Sequence, residues 1–260
     1  MMTRTTPTDG ITEGAAQVVV PVADILDRPD GARQRQLLYG AVVEAAPMAA
    51  GWVRVHARRD GYAGVMRTDD LGAHVPATHH VATLATHLYA APDIKAPDLA
   101  TLSLGAELAI VAEAGAFGRT QAGYFVPLVH VAPLRRRFAD PAAVAELFLG
   151  TPYLWGGNSR LGIDCSGLVQ AACHACGLSC PGDSAAQARV AGAEVAPEAP
   201  LARGDLLFWK GHVALALDDR QLIHANVHHM AVVHEGAEDA VRRIAGQGGG
   251  TVTGRRRLAV

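Results

Sequence analysis

Short, mostly apolar runs fill the first half of the chain. Runs such as AVVEAA, WVRVHA and YFVPLVHV are rich in β-forming residues and are separated from one another by Gly and Pro. Such runs, bounded by turn residues, are typical of short strands. The pattern therefore predicts small antiparallel β-barrels, rather than helices, over residues 17–134.

The first half also repeats itself once, at a shift of about sixty residues. Segment 20–30, VPVADILDRPD, resembles segment 81–93, VATLATHLYAAPD, and DGYAGVM is echoed by AGYFVPL. A single recurrence predicts a duplicated domain, because a solenoid needs three or more units. We expect a flexible N-terminal segment at 1–16, followed by two units at 17–75 and 79–134.

The pattern changes near residue 136. Asp140 precedes Pro141, as an N-cap residue precedes the first position of a helix. Val144, Leu147 and Phe148 then recur at helical spacing. This predicts a helix on which those three side chains share one face.

The remaining residues are predicted to form further helices and a sheet. A second helix is expected over 165–176, ended by Gly177, and a last helix over 237–245. The apolar runs DLLFW, HVALAL, QLIHAN and MAVVHE predict strands, and TVTGRRRLAV predicts a closing strand. Helices that lead into an antiparallel sheet give an α+β domain over residues 136–260.

Composition narrows the class of protein. Half of the 260 residues are apolar and the formal net charge is −2. These values are typical of a soluble globular chain and do not indicate a polyanion-binding surface. The basic stretch GRRR at 254–257 is interpreted as a solvated tail rather than as a nucleic-acid site.

Targeting and redox signals favour the cytoplasm. No N-terminal apolar run resembles a signal peptide, and no stretch reaches the roughly 20 apolar residues of a membrane helix. The four cysteines all lie between residues 165 and 180, which is a poor disulfide framework. We therefore expect a cytoplasmic protein with neither a nucleic-acid nor a membrane partner.

Cys165 has the setting of a nucleophile. It follows Asp164, a predicted N-cap, and opens the helical run SGLVQAA. A helix N-terminus favours a thiolate, and so we expect a lowered thiol pKa at this position. The alternative is a thiol buried as a small hydrophobic group, and the polar neighbours Asp164 and Ser166 argue against that burial.

Two histidines could supply the base that such a nucleophile needs. His212 opens the run HVALAL, and His224 lies near the end of QLIHAN. A hairpin turn at 218–221 would join the two strands, so that the imidazoles could face each other. One imidazole would then deprotonate the thiol while the other orients the first.

Five motifs follow one another in order over about the last 120 residues. They are TPYLWGGNSRLGIDCSGLVQ, PGDSAAQ, RGDLLFW, GHVALAL and LIHAN. Together they resemble the NlpC/P60 family of papain-like cysteine peptidases. The resemblance implies Cys165 as the nucleophile, His212 as the general base and His224 as the orienting third residue.

The two preceding units resemble bacterial SH3-like domains. With them, the chain is similar to the subgroup of γ-D-glutamyl-L-diamino acid endopeptidases, which act on cell-wall peptides in murein recycling. The implied partner is a peptidoglycan peptide, cut at the bond between D-Glu and diaminopimelate and carrying a free N-terminal L-Ala.

The same resemblance implies how such a peptide is held. Its α-ammonium needs an anion in a closed pocket, and Asp183 would provide a buried one. Ser184 and Tyr153 would add polar contacts. Without the resemblance, Asp183 and Ser184 are equally well explained as the N-cap of a helix.

Other residues complete the implied substrate site. Trp155 would pack against the peptide, and Asp164 and Ser166 flank the nucleophile. Tyr62 matches a tyrosine that relatives place at the edge of the cleft, although it is equally well explained as barrel core. The chain departs from the family pattern at Ala41, where relatives often carry an acidic residue.

The segment CHACGLSC at 173–180 suggests a different chemistry. Cys173, Cys176, Cys180 and His174 could ligate zinc or an iron–sulfur cluster. However, Cys173 and His174 point to different faces of the predicted helix, and core packing of small thiols is the simpler interpretation. We expect neither a metal nor another cofactor.

Two alternative functions remain open at this point. The first is a cysteine amidase or acyltransferase on the same scaffold, and the second is a non-catalytic cell-wall-binding module. The presence of Cys165, His212 and His224 together favours an enzyme, and the motif GDSAAQ favours a peptidase.

Overall fold

Residues 11–259 are described by a computed structural model of the chain. They divide between Arg136 and Arg137 into two units. The first unit is built of strands, and the second combines helices with a six-stranded sheet. The predicted mixture of helical and β structure is confirmed.

The first unit contains strands and two short 3₁₀ turns, at Thr68–Asp70 and Leu128–His130. Its strands are β1 (Gly14–Val18), β2 (Val22–Leu26), β3 (Arg33–Leu38), β4 (Val42–Pro47), β5 (Trp52–Ala57), β6 (Ala63–Arg67), β7 (Leu71–Ala73), β8 (His79–Val81), β9 (Ala85–Tyr89), β10 (Asp98–Ser103), β11 (Glu107–Leu108), β12 (Ile110–Ala114), β13 (Phe117–Thr120), β14 (Phe125–Pro127) and β15 (Val131–Pro133).

The repeat in the sequence is a repeat of topology. The order β3-β2-β6-β5-β4 recurs as β10-β9-β14-β13-β12, and the order β4-β1-β7 recurs as β11-β8-β15. Each half has its own buried cluster, one centred on Val18, Ile25 and Val53 and the other on Val81, Leu88 and Leu102. The β-rich runs thus form two adjacent β structures with buried clusters of apolar residues.

The second unit carries the helices of the chain. Its elements are α1 (Pro141–Glu146), β16 (Asn158–Ser159), β17 (Gly162–Ile163), α2 (Cys165–Ala175), α3 (Ser184–Val190), β18 (Ala193–Glu194), β19 (Asp205–Trp209), β20 (His212–Ala216), β21 (Gln221–Asn226), β22 (Ala231–Gly236), α4 (Ala237–Gly246) and β23 (Gly254–Arg257).

The six-stranded sheet of the second unit has the order β18-β23-β19-β20-β21-β22. Helix α2 packs against α1 and against the central strands β20 and β21. A cluster that includes Leu207, Ala214 and Leu222 joins the sheet to Ala240 and Ile244 of α4. The first turn of α2 is therefore held beside the beginning of β20, which positions the candidate site.

Helix boundaries follow the predicted caps. The Asp140 carboxylate accepts a hydrogen bond from the backbone N–H of Ala142 at 2.9 Å, with Pro141 at the first helical position. Helix α1 ends at Glu146. Leu147 is 40% exposed whereas Val144 and Phe148 are buried, so the prediction that the three side chains share one face is wrong for Leu147.

The stretch GRRR forms an internal strand, so the alternative of a solvated tail is wrong. As β23 it pairs with both β18 and β19. Arg255 and Arg257 donate to the carboxylate of Asp205, which is fully buried. The positive charge of this segment had suggested a solvated tail. Within the sheet, the ion pair with Asp205 compensates for that charge.

The first strand also begins earlier than predicted. Residues 1–10 of the segment expected to be flexible lie outside the described residues. Within 11–16, β1 already starts at Gly14 and pairs with β4 and β7. Ala16 and Val18 are buried in the core, and the weak strand preference of alanine hid this strand in the sequence.

Candidate active site

Asp164 organises the start of α2. One carboxylate oxygen accepts from the backbone N–H of Gly167 at 2.6 Å and from the hydroxyl of Ser166 at 3.0 Å, and the other accepts from the N–H of Gly156 at 2.9 Å. Asp164 and Ser166 are both buried. Both were predicted to bind substrate. Instead, they form a hydrogen bond with each other, and the Asp164 carboxylate also accepts hydrogen bonds from backbone N–H groups.

The glycines of the WGG stretch allow this close packing. Gly156 has φ +70°, in the left-handed region where a side chain is strained. A Cβ built on Gly167 would lie 2.5 Å from the carbonyl oxygen of Gly157. The backbone can therefore approach Asp164 and the first turn of α2 only with glycine at these positions.

Cys165 is the first residue of α2 and is 7% exposed. Its sulfur accepts a hydrogen bond from the backbone N–H of Val213, the residue that follows His212. Burial, reinforced by the charge of Asp164, raises the pKa of the thiol to about 12 against the backbone N–H groups that lower it. The expectations of an exposed thiol and of a lowered pKa are therefore wrong, because desolvation outweighs the helix terminus in the resting protein.

The structure brings His212 and His224 together. Strand β20 pairs with β21 through Leu215–Ile223 and Ala216–Leu222, and this register, continued toward the start of β20, makes the two histidines diagonal neighbours on one face of the sheet. Nε2 of His212 and Nδ1 of His224 are hydrogen-bonded at 3.0 Å. Within residues 11–259 the hydrogen bonds leave Nδ1 of His212 unengaged.

Glu235 and Arg243 extend this arrangement, and sequence reasoning missed both. Nε2 of His224 lies 2.9 Å from a carboxylate oxygen of Glu235. Arg243 of α4 donates to both oxygens of that carboxylate, at 2.8 and 2.7 Å. The sequence signal for Glu235 was its position in the run AVVHEG. Glu235 lies two residues after Val233, which pairs with His224, and so on the same face of the strand.

Burial and charge set the protonation of these groups. Burial lowers the pKa of His212 to about 3 and that of His224 to about 4. The hydrogen bond from Arg243 lowers the pKa of Glu235 to about 2. At neutral pH the site therefore holds a neutral thiol, two neutral imidazoles and one carboxylate.

Tyr153 lies near the thiol and is half-buried. Burial raises the pKa of its hydroxyl, and the neighbouring Cys165 and Asp164 raise it further. Its backbone is fixed on two sides, since its N–H donates to the carbonyl of Met230 and it forms a bridge with Ile163. The Tyr153 hydroxyl is thus kept protonated and can donate a hydrogen bond.

Asp183 and Ser184 open helix α3, which is tied to the first turn of α2. The side-chain amide of Gln187 donates to the carbonyl oxygens of Ser166 and Pro181, both at 2.9 Å. Asp183 occupies the N-cap position but makes no side-chain cap bond. It is exposed, and so the predicted burial of its carboxylate is wrong.

The remaining predicted residues occupy different settings. Trp155 is 67% exposed. Tyr62 belongs to the first unit, where it packs against the core with the Arg35 guanidinium 5.9 Å from its ring centre. Its setting matches the alternative of barrel core, and its place at a cleft edge stays a prediction.

The cysteines at the end of α2 pack as small groups. Cys173 and Cys180 are buried, and a hydrogen bond between their thiols, followed by burial, raises the pKa of Cys173. His174 and Gln170 both contact the carbonyl oxygen of Cys180. Among residues 11–259, no three His, Cys, Asp or Glu side chains form a group that could hold a metal ion.

Comparison with known proteins places the chain in a family. Residues 150–243 match the family model described as the NlpC/P60 family, and residues 25–71 match the bacterial dipeptidyl-peptidase Sh3 domain. A γ-D-glutamyl-L-lysine dipeptidyl-peptidase of Bacillus subtilis is 31% identical over 221 residues, which are 75% of this chain and 73% of that relative. The chain belongs to the NlpC/P60 family. It is accordingly a cysteine peptidase.

A second curated relative matches within the NlpC/P60 domain. The Bacillus cereus protein of the same name is 40% identical over 94 residues, covering 33% of this chain and 28% of that protein. A crystal structure of an NlpC/P60 family protein from B. cereus superposes with a TM-score of 0.78, at 22% identity, over 94% of this chain and 99% of the other. The expected NlpC/P60 fold with an SH3 domain is thus confirmed.

Over residues 11–259, every helix is too short or too polar to cross a lipid bilayer.

Proposed function

We propose that this NlpC/P60 peptidase hydrolyses the bond between γ-D-glutamate and an L-diamino acid, diaminopimelate, in peptidoglycan-derived peptides with a free N-terminal L-Ala. The two Bacillus relatives, named γ-D-glutamyl-L-lysine dipeptidyl-peptidases, support the γ-glutamyl bond. The choice of diaminopimelate and a role in murein recycling or remodelling rest on the family resemblance of the motifs.

The observation that carries the proposal is the position of the Cys165 sulfur. It lies beside the N–H of Val213 and hence beside the start of β20, the strand that His212 opens. Cys165 is assigned as the nucleophile, His212 as the general base, and His224 as the residue that orients His212.

The resting pair is neutral, so proton transfer must accompany attack. The sulfur bonds to the γ-carbonyl carbon of D-Glu as its proton passes to Nδ1 of His212. The imidazolium then gives this proton to the departing amine of the diamino acid, and a thioester remains. Water, deprotonated by the same nitrogen, hydrolyses the thioester and restores the thiol.

Negative charge on the carbonyl oxygen would be stabilised at the start of α2. The first N–H groups of a helix have no partner within the helix and point toward developing negative charge. The protonated hydroxyl of Tyr153 is assigned as a second donor, since Tyr153 lies near Cys165.

Substrate contacts are assigned around this centre. Asp183 is proposed to pair with the α-ammonium of L-Ala, with Ser184 beside it at the start of α3. Because the Asp183 side chain is exposed, the carboxylate and the ammonium would lose their hydration only when the peptide binds. Trp155 is assigned to pack on the peptide and Tyr62 to narrow its entry, whereas Asp164 and Ser166 act by shaping the α2 terminus.

The domain limits are also proposed. We assign SH3-like domains to 17–75, extended to Gly14 by the start of β1, and to 79–134, and the peptidase domain to 136–260. The recurrence of strand order in the first unit supports the second SH3-like assignment, alongside the family match at 25–71. A cytoplasmic location, expected from the sequence, is tested by cell fractionation.

The activity is tested with purified protein on L-Ala-γ-D-Glu-diaminopimelate and on the lysine analogue. The wild-type protein should release the dipeptide L-Ala-D-Glu, Cys165→Ala should abolish release, and a chelator should have no effect. Cys165→Ser serves as a matched variant that keeps the size of the side chain and removes the thiol.

Each alternative gives a different result. Cleavage that survives Cys165→Ala would refute the assigned nucleophile, and sensitivity to the chelator would indicate a metal enzyme. Preference for the lysine peptide would correct the diamino acid. Transfer of the acyl group to an added amine, without hydrolysis, would indicate an acyltransferase, and binding without turnover would indicate a non-catalytic module.

A further inference from the structure

A row of polar side chains crosses three adjacent strands of the peptidase sheet. The register places His212 of β20, His224 of β21 and Glu235 of β22 as successive diagonal neighbours on one face. The two contacts in the row are 3.0 Å and 2.9 Å long. Each residue can therefore determine which nitrogen of its neighbour carries a hydrogen.

The outer end of the row is fixed by Arg243. Its guanidinium donates to both carboxylate oxygens of Glu235, and the side chains are only 17% and 12% exposed. A bidentate pair with this geometry resists rotation of the carboxylate. Glu235 is thus a carboxylate that accepts hydrogen bonds and has no hydrogen to donate.

We propose that Glu235, held by Arg243, is a positioning residue that fixes the tautomer of His224 and, through His224, leaves Nδ1 of His212 without a proton. The proposal rests on the assigned function of Cys165 and His212 as nucleophile and base.

The hydrogen positions follow one from another. Because Glu235 can only accept, Nε2 of neutral His224 carries the hydrogen, and its Nδ1 is an acceptor. Nε2 of His212 must then carry the hydrogen that it donates to this Nδ1. The remaining nitrogen of His212, Nδ1, is left with its lone pair and can take the proton of the Cys165 thiol.

No proton has to reach Glu235 during the reaction. When His212 accepts the thiol proton it becomes an imidazolium, which still donates through Nε2 to His224. The carboxylate stabilises this charge through the intervening ring, as the buried acid of a catalytic triad does. In the opposite tautomer, Nδ1 of His212 would hold a hydrogen and could not act as a base.

The tautomers are measured directly, without any substrate. Long-range ¹H–¹⁵N correlation spectra of Cys165→Ala protein, labelled with ¹⁵N-histidine, distinguish protonated from unprotonated ring nitrogens. We expect the Nε2–H form for both His212 and His224, and loss of that form at His224 in Glu235→Gln. An Nδ1–H form of His212 in otherwise unchanged protein would overturn the proposal.

Kinetics provide the second readout. Glu235→Gln should lower kcat at least about tenfold, at the low end of what general acid–base catalysis contributes, while KM stays within about twofold. Glu235→Asp, which keeps the carboxylate, should recover part of the loss. Two matched controls, His234→Gln on the same strand and Arg242→Gln on the same helix, should retain wild-type kcat, since both side chains are exposed.

The outcomes separate the two proposals. If the wild-type protein cleaves no γ-glutamyl peptide, the proposed function fails, and the spectra still decide the tautomers. If the wild-type protein cleaves while folded Glu235→Gln has an unchanged kcat, Glu235 has no positioning role. Should Glu235→Gln fail to fold, the spectra of the Cys165→Ala protein decide alone.

Discussion

Asp205 should be a main contributor to the stability of the peptidase unit. Its carboxylate is fully buried at the start of β19 and accepts hydrogen bonds from Arg257 at 2.6 and 2.9 Å, from Arg255 at 3.0 Å and from the N–H of Ala202 at 3.0 Å. Asp205→Asn preserves the size of the side chain but removes its charge. The arginines then face an amide that cannot accept all of their hydrogen bonds.

The magnitude depends on how well each arginine can return to water. Arg255 is 11% exposed, whereas Arg257 is 44% exposed. Breaking a buried pair costs about 3–5 kcal/mol, and an exposed pair contributes at most about 1 kcal/mol. The loss from Arg255 therefore dominates, and we expect Asp205→Asn to lower the free energy of unfolding by about 3 kcal/mol, or roughly 150-fold in the unfolding equilibrium.

Hydrogen exchange of β19 amides measures this change for the peptidase unit alone. Exchange in Asp205→Asn should be roughly 150-fold faster than in the wild-type protein, since each 1.4 kcal/mol corresponds to a factor of ten. Asp219→Asn, which removes the same charge in an exposed loop, is the control and should change exchange by less than about threefold.

The pH dependence has a defined sign. Although burial alone would raise it, the hydrogen bonds from Arg257, Ala202 and Arg255 hold the pKa of Asp205 below its usual 3.8. Its contribution is complete above pH 3.8 and is lost as the pH falls through the lower, folded-state value. Less than a fivefold increase in exchange at neutral pH, in a folded variant, would refute the assigned magnitude.

Three further outcomes are expected. His212 and His224 have folded-state pKa values of about 3 and 4, against 6.5 in the unfolded state. As the pH falls, the unfolded state therefore binds protons first, and the free energy of unfolding should decrease from pH 6.5 toward pH 3. A free energy from urea unfolding that stays constant between pH 6.5 and pH 4 would contradict this. Gly167→Ala should lower stability by about 1–3 kcal/mol through its contact with the Gly157 carbonyl, measured by thermal unfolding against Ala171→Gly as a helix control. Acetylation of the substrate L-Ala should reduce kcat/KM at least about fivefold more in the wild-type protein than in Asp183→Asn, and equal reductions would remove Asp183 from amine recognition.

Local signals in the sequence predicted much of the fold. The Asp140–Pro141 pair determined where α1 begins, and Gly177, with φ +78°, follows the end of α2. The run of strands and the hairpin that carries His212 and His224 followed from alternation and turn residues. These features depend on neighbours along the chain, which a single sequence records.

What depended on distant residues was not predictable. Glu235 reaches His224 only because β21 and β22 pair in one register, and Arg243 reaches Glu235 only because α4 folds back beside β22. The surroundings of Cys165 likewise include the backbone N–H of Val213, which lies on a distant strand. In each case a polar side chain is satisfied by a partner whose distance along the chain gives no sign of contact.

The diagonal row across β20, β21 and β22 makes the catalytic chemistry a property of strand alignment. Side chains alternate between the two faces of a strand, so sliding β21 by one residue along β20 would turn the imidazole of His224 to the opposite face. The loop at 218–220 sets that alignment. The Asp218 carboxylate accepts hydrogen bonds from the N–H groups of Arg220 and Gln221 and so fixes the loop. Replacing this exposed loop would therefore change the geometry of the active site without altering any catalytic residue.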